Sequence, residues 1–160
     1  MGTKFQPADE VKEIAIGLIE ENHPRLFGIR IEYLFIDKIP KKGTKQVWGS
    51  CRKITNLTAY LADRNRNITD EDGEEPEPFF AIVISRPIWE VLPYEKKLAL
   101  VDHELCHAGV EETDDGGKKL FIISHDLEEF AEVVKRHGIW EEGIEVFIKA
   151  AKEKLERDNV

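Results

Sequence analysis

Five consecutive residues of this 160-residue sequence carry the chemistry of a metal site: His103-Glu104-Leu105-Cys106-His107. On a helix, residues four apart project from one face, so His103 and His107 are expected to reach a single tetrahedral Zn²⁺. Glu104 then stands beside them, close enough to take a proton from a water that the metal activates. A chain of this composition would hold the HExxH pattern by chance only about 0.02 times. The spacing predicts a helix from Tyr94 to Ala108, on which Leu98, Val101, Leu105 and Ala108 form one apolar stripe. His103 and His107 fall on the opposite side. The stripe would anchor the helix while the ligands face a cleft.

A catalytic zinc takes three protein ligands and keeps one position open. The HExxHxxGxxH spacing is not met, since Gly109 and Thr113 do not match it. Two candidates lie downstream. His125, 18 residues after His107, is the favoured third ligand, at the mouth of a helix expected from Asp126 to His137 and ended by Gly138. Glu128 is the alternative, on the flank of that helix's stripe of Leu127, Phe130, Ala131 and Val134. Glu129 reads as the capping-box partner of Asp126. His23 and His137 read as ordinary histidines, with His137, Arg136 and Tyr94 as candidates to stabilise an oxyanion. Cys106 reads as a small, partly buried apolar residue. Trp48, Trp89 and Trp140 read as core or cleft-wall residues.

The elements that must position this centre follow from periodicity. A helix is expected from Pro7 to Asn22, carrying Val11, Ile14, Ala15, Leu18 and Ile19 at helical spacing and closed by His23-Pro24. A strand is expected from Ile29 to Ile36 and another strand region from Gln46 to Leu61. The stretch from Thr69 to Pro78 reads as an acidic loop. Phe79 to Ile84 reads as a strand buried on both faces. Gly116-Gly117 mark a turn, Leu120 to Ile123 a short strand, and Glu141 to Arg157 a last helix. Helices bracketing a block of strands give an α+β domain, read as one continuous unit over residues 1–160.

Composition narrows the classes. Charged residues make up 34% and apolar residues 41%, an ordinary globular balance. The longest apolar run, Phe79 to Ile84, is far too short for a membrane helix. The N-terminus lacks the apolar region of a signal peptide, so the chain reads as cytoplasmic. Cys51 and Cys106 are expected as free thiols. The net charge of −9 is uneven: from Lys38 to Arg66 eight bases face Asp63 alone, a local +7. That segment is either a solvated face or a patch for weak DNA association.

The HELCH motif, followed by His125-Asp126-Leu127-Glu128-Glu129-Phe130, resembles the phage metallopeptidase family. The run from Phe79 through Pro87-Ile88-Trp89 and the stretch Arg136-His137-Gly138-Ile139-Trp140 are similar to it as well. The resemblance covers roughly Gln46 to Trp140. It implies a zincin-like fold, with a small, mostly antiparallel sheet, an active-site helix and C-terminal helices, and a phage or prophage origin. It also implies that Phe79 to Ser85 is the edge strand on which an extended peptide would pair. HELCH followed by a lone histidine also resembles the SprT/Spartan-like proteases, which act on proteins associated with DNA. There the third ligand lies in a His-Gly-Pro segment, whereas His125 precedes Asp126-Leu127.

The expected function is therefore zinc-dependent cleavage of a peptide or protein substrate, with Glu104 as general base and His103, His107 and His125 as ligands. The competing class is a non-catalytic zinc module that binds protein or DNA through the basic segment. Retention of Glu104 argues for the enzyme, since a structural site needs the histidines and not the base.

Overall fold

The computed structural model describes residues 2–64 and 77–160. It is an α+β structure, and the chain divides into two compact units, Met1–Ile123 and Ser124–Val160.

The first unit is built on a four-stranded sheet. Its strands are β1 (Phe5–Pro7), β2 (Ile31–Ile36), β5 (Gly49–Ile54) and β6 (Phe79–Ser85), in the order β1-β2-β6-β5. Two of its three pairings are antiparallel and β2–β6 is parallel, which agrees with a mostly antiparallel sheet. All seven residues of β6 are buried, as a strand made of Phe-Phe-Ala-Ile-Val-Ile-Ser requires. β6 is an interior strand, however, so the expectation that it forms the sheet edge is corrected. The edges are β1 and β5, because β6 is hydrogen-bonded on both sides. Between β2 and β5 lies a small hairpin, β3 (Lys41–Lys42) with β4 (Lys45–Gln46).

Helix α1 (Asp9–Asn22) turns Val11 and Ala15 into the core. It stops where expected, with the His23 N–H donating to the Ile19 carbonyl at 3.0 Å and Pro24 following. Pro7 does not open this helix. It ends β1, opposite Leu34, where an edge strand tolerates a residue without an N–H. A short helix α3 (Arg86–Val91), with Pro87 in its first turn, precedes α4 (Tyr94–Cys106), which buries Val101 and Leu105 against the sheet. Strand alternation sets which sheet face meets α1 and α4. Tyr33, Phe35, Phe80, Ile82 and Ile84 share that face and the same core cluster.

Sequence propensity misleads after β5. Asn56–Arg64 is a helix, α2, rather than a continuation of strand, although Thr58 and Tyr60 are good strand formers. The Ala59 N–H reaches the Thr55 carbonyl at 2.9 Å as the helix opens, and Ala59 is fully buried. Most of the acidic stretch from Thr69 to Pro78 lies outside the described residues.

A hairpin of β7 (Ala108–Glu112) and β8 (Lys118–Ile122) leaves α4 directly. Its turn needs Gly116, at φ 81°, and the Thr113 N–H closes it on the Gly117 carbonyl at 2.9 Å. Gly109 pairs with Phe121, whose ring occupies the place where a side chain on residue 109 would stand.

The second unit holds α5 (Ala131–His137), ended by Gly138 at φ 69°, and α6 (Glu142–Asp158), whose Glu141 side chain caps the Gly143 N–H. The helix expected from Asp126 begins only at Ala131. Phe130 is extended (ψ 130°), and Glu129 accepts the Phe130 N–H rather than boxing with Asp126. Among the described residues no helix is long and apolar enough to cross a membrane.

Candidate metal centre

His103 and His107 do not share a helix in its interior. His103 lies in the last turn of α4, and His107 is the capping residue (φ −72°, ψ −19°) at the corner where α4 becomes β7. Their rings still meet edge to face, with centroids 5.0 Å apart, and their ligand nitrogens lie within 4.8 Å of each other. Val101, Leu105 and Ala108 are fully buried and Leu98 partly so, leaving His103 exposed and His107 half-buried, as the stripe requires.

The hairpin fixes His107. Its Nδ1 is 2.6 Å from the Ile123 carbonyl, and the Ile123 N–H donates to the His107 carbonyl at 2.8 Å. A carbonyl can only accept, so Nδ1 carries the proton and the Nε2 lone pair is the one presented to a metal. Metal-bound histidines are commonly oriented in this way.

Glu104 is 3% exposed. Burial pushes its carboxyl up to about 7, with neighbouring His107 pulling the other way. The space for it comes from β5. Gly49 pairs with Ile84, and a Cβ on Gly49 would lie 2.9 Å from Glu104 Oε1 and 2.8 Å from Ile84 Cδ1. Two residues along, Cys51 occupies the same face of β5. Burial raises its thiol to about 12, and the charge of Glu104 adds to that. Gly49 is absent from the sequence-level site. Its only signal there is a glycine inside a strand, which marks a close approach.

A second cluster lies in the same unit. His23, Asp102 and Cys106 offer ligand atoms within 4.8 Å of one another. His23 is 5% exposed, with Nε2 2.6 Å from Asp102 Oδ1 and Nδ1 3.0 Å from Arg25 Nη1. A guanidinium only donates. Nδ1 therefore accepts, and the proton of the neutral ring sits on Nε2, aimed at Asp102. A metal on Nε2 would have to displace that proton and leave an imidazolate beside the Arg25 hydrogen bond. The arrangement is that of a hydrogen-bond relay, and it does not suit a cation. Cys106 is exposed rather than partly buried.

The other predicted residues are placed as follows. His125 lies in the second unit, in the non-helical stretch before α5, exposed and two residues beyond Ile123. Glu128 is exposed in the same stretch, so it does not flank a helical stripe. Tyr94 starts α4, and nine residues of helix put it roughly 14 Å along the axis from His103, too far to serve the metal. His137 and Arg136 lie in the last turn of α5, with Arg136 3.4 Å from Glu132. Trp89 is core, its indole N–H 3.0 Å from Glu10, whereas Trp48 and Trp140 are exposed.

Of the described basic residues between Lys38 and Arg66, Lys41, Lys42 and Lys45 lie on the β3–β4 hairpin and Arg52 and Lys53 on β5, while Lys38 precedes β3 and Arg64 ends α2. Lys41, Trp48, Ser50 and Arg52 border a hollow of about 220 Å³. Since Gly49 and Cys51 face α4, Ser50 and Arg52 face the other side of the sheet, away from Glu104. Arg66 lies outside the described residues. Neither this geometry nor any likeness to other proteins supports DNA as a partner.

A family model described as Putative phage metallopeptidase matches residues 3–152. The chain belongs to that family. The match runs through both units and covers far more of the chain than the resemblance from Gln46 to Trp140. No curated protein and no solved structure matches the chain. Membership implies a metal ion and a peptide or protein substrate, and the side chains at the end of α4 are of the kinds that bind one.

Proposed function

We propose that this phage metallopeptidase-family chain is a zinc-dependent peptidase, with His103, His107 and His125 as metal ligands and Glu104 as general base. The observation that carries the reading is the placement of Glu104. It is a carboxyl buried beside His107, in space cleared by Gly49, with its ionisation moved to about 7. A general base works best when its pKa lies near the working pH.

The donor set fits zinc, which favours imidazole nitrogen and tetrahedral geometry. When bound, zinc would supply Lewis acidity to the scissile carbonyl and its attacking water. The protein's own residues do the rest. The Ile123 carbonyl holds the His107 ring in the ligating tautomer. Glu104 takes the proton of the attacking water and passes it to the leaving amine.

For His125 the support is covalent reach. Ile123 is bonded to His107 twice, and two peptide units span at most about 7 Å. His125 is thus tethered close enough to supply the third ligand, and the whole chain, 1–160, then acts as one peptidase domain. A cytoplasmic setting belongs to the same proposal.

Glu104→Gln tests it. The variant should keep one zinc per chain and lose cleavage of a protein substrate mixture by on the order of 10²–10⁴. Equal cleavage by wild type and variant would refute the assignment.

A further inference from the structure

We propose that Arg25 is a positioning residue for the metal site, its guanidinium holding the two backbone carbonyls that bracket His107. The inference rests on the reading of His103 and His107 as metal ligands and extends it to a residue some 80 positions away in sequence.

The need for such a residue arises where α4 ends. Cys106 is the last helical residue, His107 the cap and Ala108 the first residue of β7, so the chain changes course within one residue. The final carbonyls of a helix lack intrahelical donors and carry the negative end of its dipole. A ligand placed at such a corner points wherever the corner's backbone points, and helical regularity no longer sets its direction.

Arg25, in the 3-10 turn Pro24–Leu26 after α1, brings side-chain donors to this corner. Its Nε donates to the Ala108 carbonyl at 3.0 Å and its Nη2 to the Leu105 carbonyl at 2.9 Å. The third arm of the fork, Nη1, donates to His23 Nδ1 at 3.0 Å, and His23 Nε2–H in turn meets Asp102 at 2.6 Å. Asp102 directly precedes His103. One connected network therefore touches the residue before the first ligand and the residues on either side of the fixed corner. Only a planar guanidinium with donors on three nitrogens can serve three acceptors in these directions. Lysine keeps the charge but is a compact, point-like donor.

Partners of this kind orient the ligands, and losing them typically weakens metal binding by about 10–100-fold. The full chain would be compared as wild type, Arg25→Met, Arg25→Lys and Val11→Ala. The last opens a cavity in the same core without touching the network. Zinc affinity is read by competition with a chromophoric chelator, coordination by the visible spectrum of the cobalt(II)-substituted protein, and folding by the melt of the metal-free protein. Both Arg25 variants should lose at least about tenfold in zinc affinity and show displaced cobalt bands. Val11→Ala should lower the melting temperature and leave both metal readouts at wild-type values. Should Arg25→Met not fold, Arg25→Lys carries the test. Wild-type affinity and spectrum in a folded Arg25 variant would overturn the inference, as would an equal loss in Val11→Ala. Failure of the wild type to bind zinc or cobalt would instead overturn the metal site itself.

Discussion

Gly49 and Glu104 share one volume: where a side chain on Gly49 would begin, the Glu104 carboxylate already stands, 2.9 Å from that point. The strand supplies room by omission, and the helix fills it with the carboxyl proposed as the general base. A glycine of β5 thereby sets the space available to a carboxyl carried by α4.

Gly49→Ala is accordingly expected to disturb catalysis before it disturbs metal binding. The added methyl must displace either Ile84 or Glu104, at a cost of about 1–3 kcal/mol in stability. A shift of the base by about 1 Å costs on the order of 10² in rate. Zinc content should stay near one per chain, because the atoms nearest the added methyl belong to Ile84 and Glu104 rather than to either histidine. Full activity in a folded Gly49→Ala protein would show that the close approach is incidental.

The buried carboxyl also has a signature without metal or substrate. Its folded-state pKa of about 7 lies above the ordinary 4.5, so between those values the folded protein holds a proton that the unfolded chain has released. Stability of the metal-free protein should therefore fall as pH rises from about 4.5 to about 7, and level off above, by up to about 3 kcal/mol. Glu104→Gln lacks this component, and should be the more stable protein at pH 8 while the two converge near pH 4. Denaturant titrations of both metal-free proteins across that range check it. Parallel pH profiles would mean that Glu104 is solvated and ordinary.

Metal stoichiometry separates the two clusters and the two third-ligand candidates. Zinc should measure one per chain and be lost in a His103→Ala/His107→Ala double variant. His125→Ala should weaken binding by orders of magnitude, since two ligands hold zinc poorly. Glu128→Ala should leave it nearly intact. Cys106→Ser should change nothing, because the His23–Asp102 pair is a relay. A second equivalent of zinc that disappears in Cys106→Ser would contradict that reading, and a reversal between His125 and Glu128 would reassign the third ligand.

Local patterns were legible in the sequence. The α4 stripe, the HELCH motif and the apolar run Phe79–Ile84 of β6 each depend on residues within one element, where period and residue type decide the outcome. What escaped was set by distant partners. His23 meets Asp102 across 79 positions, and Gly49 meets Glu104 across the β5–α4 packing. No periodicity announces either. Strand propensity around Asn56 to Leu61 gave way to helix α2, where Ala59 is buried. Likewise β6 reads as buried on both faces from composition, but nothing local says that β5 will flank it and take the edge.

The two hydrogen bonds between His107 and Ile123 make the β7–β8 hairpin a ruler for the site. Its length in residues is immaterial so long as Ala108 stays opposite Ile122. Extra residues inserted in pairs at the Thr113–Gly117 turn would lengthen the ribbon outward and leave His107 untouched. A single-residue slip would instead turn Leu120 out of the core and bring a different carbonyl to the imidazole. The hairpin thus offers a place where the chain can acquire new sequence, with parity rather than size as the rule that protects the candidate metal centre.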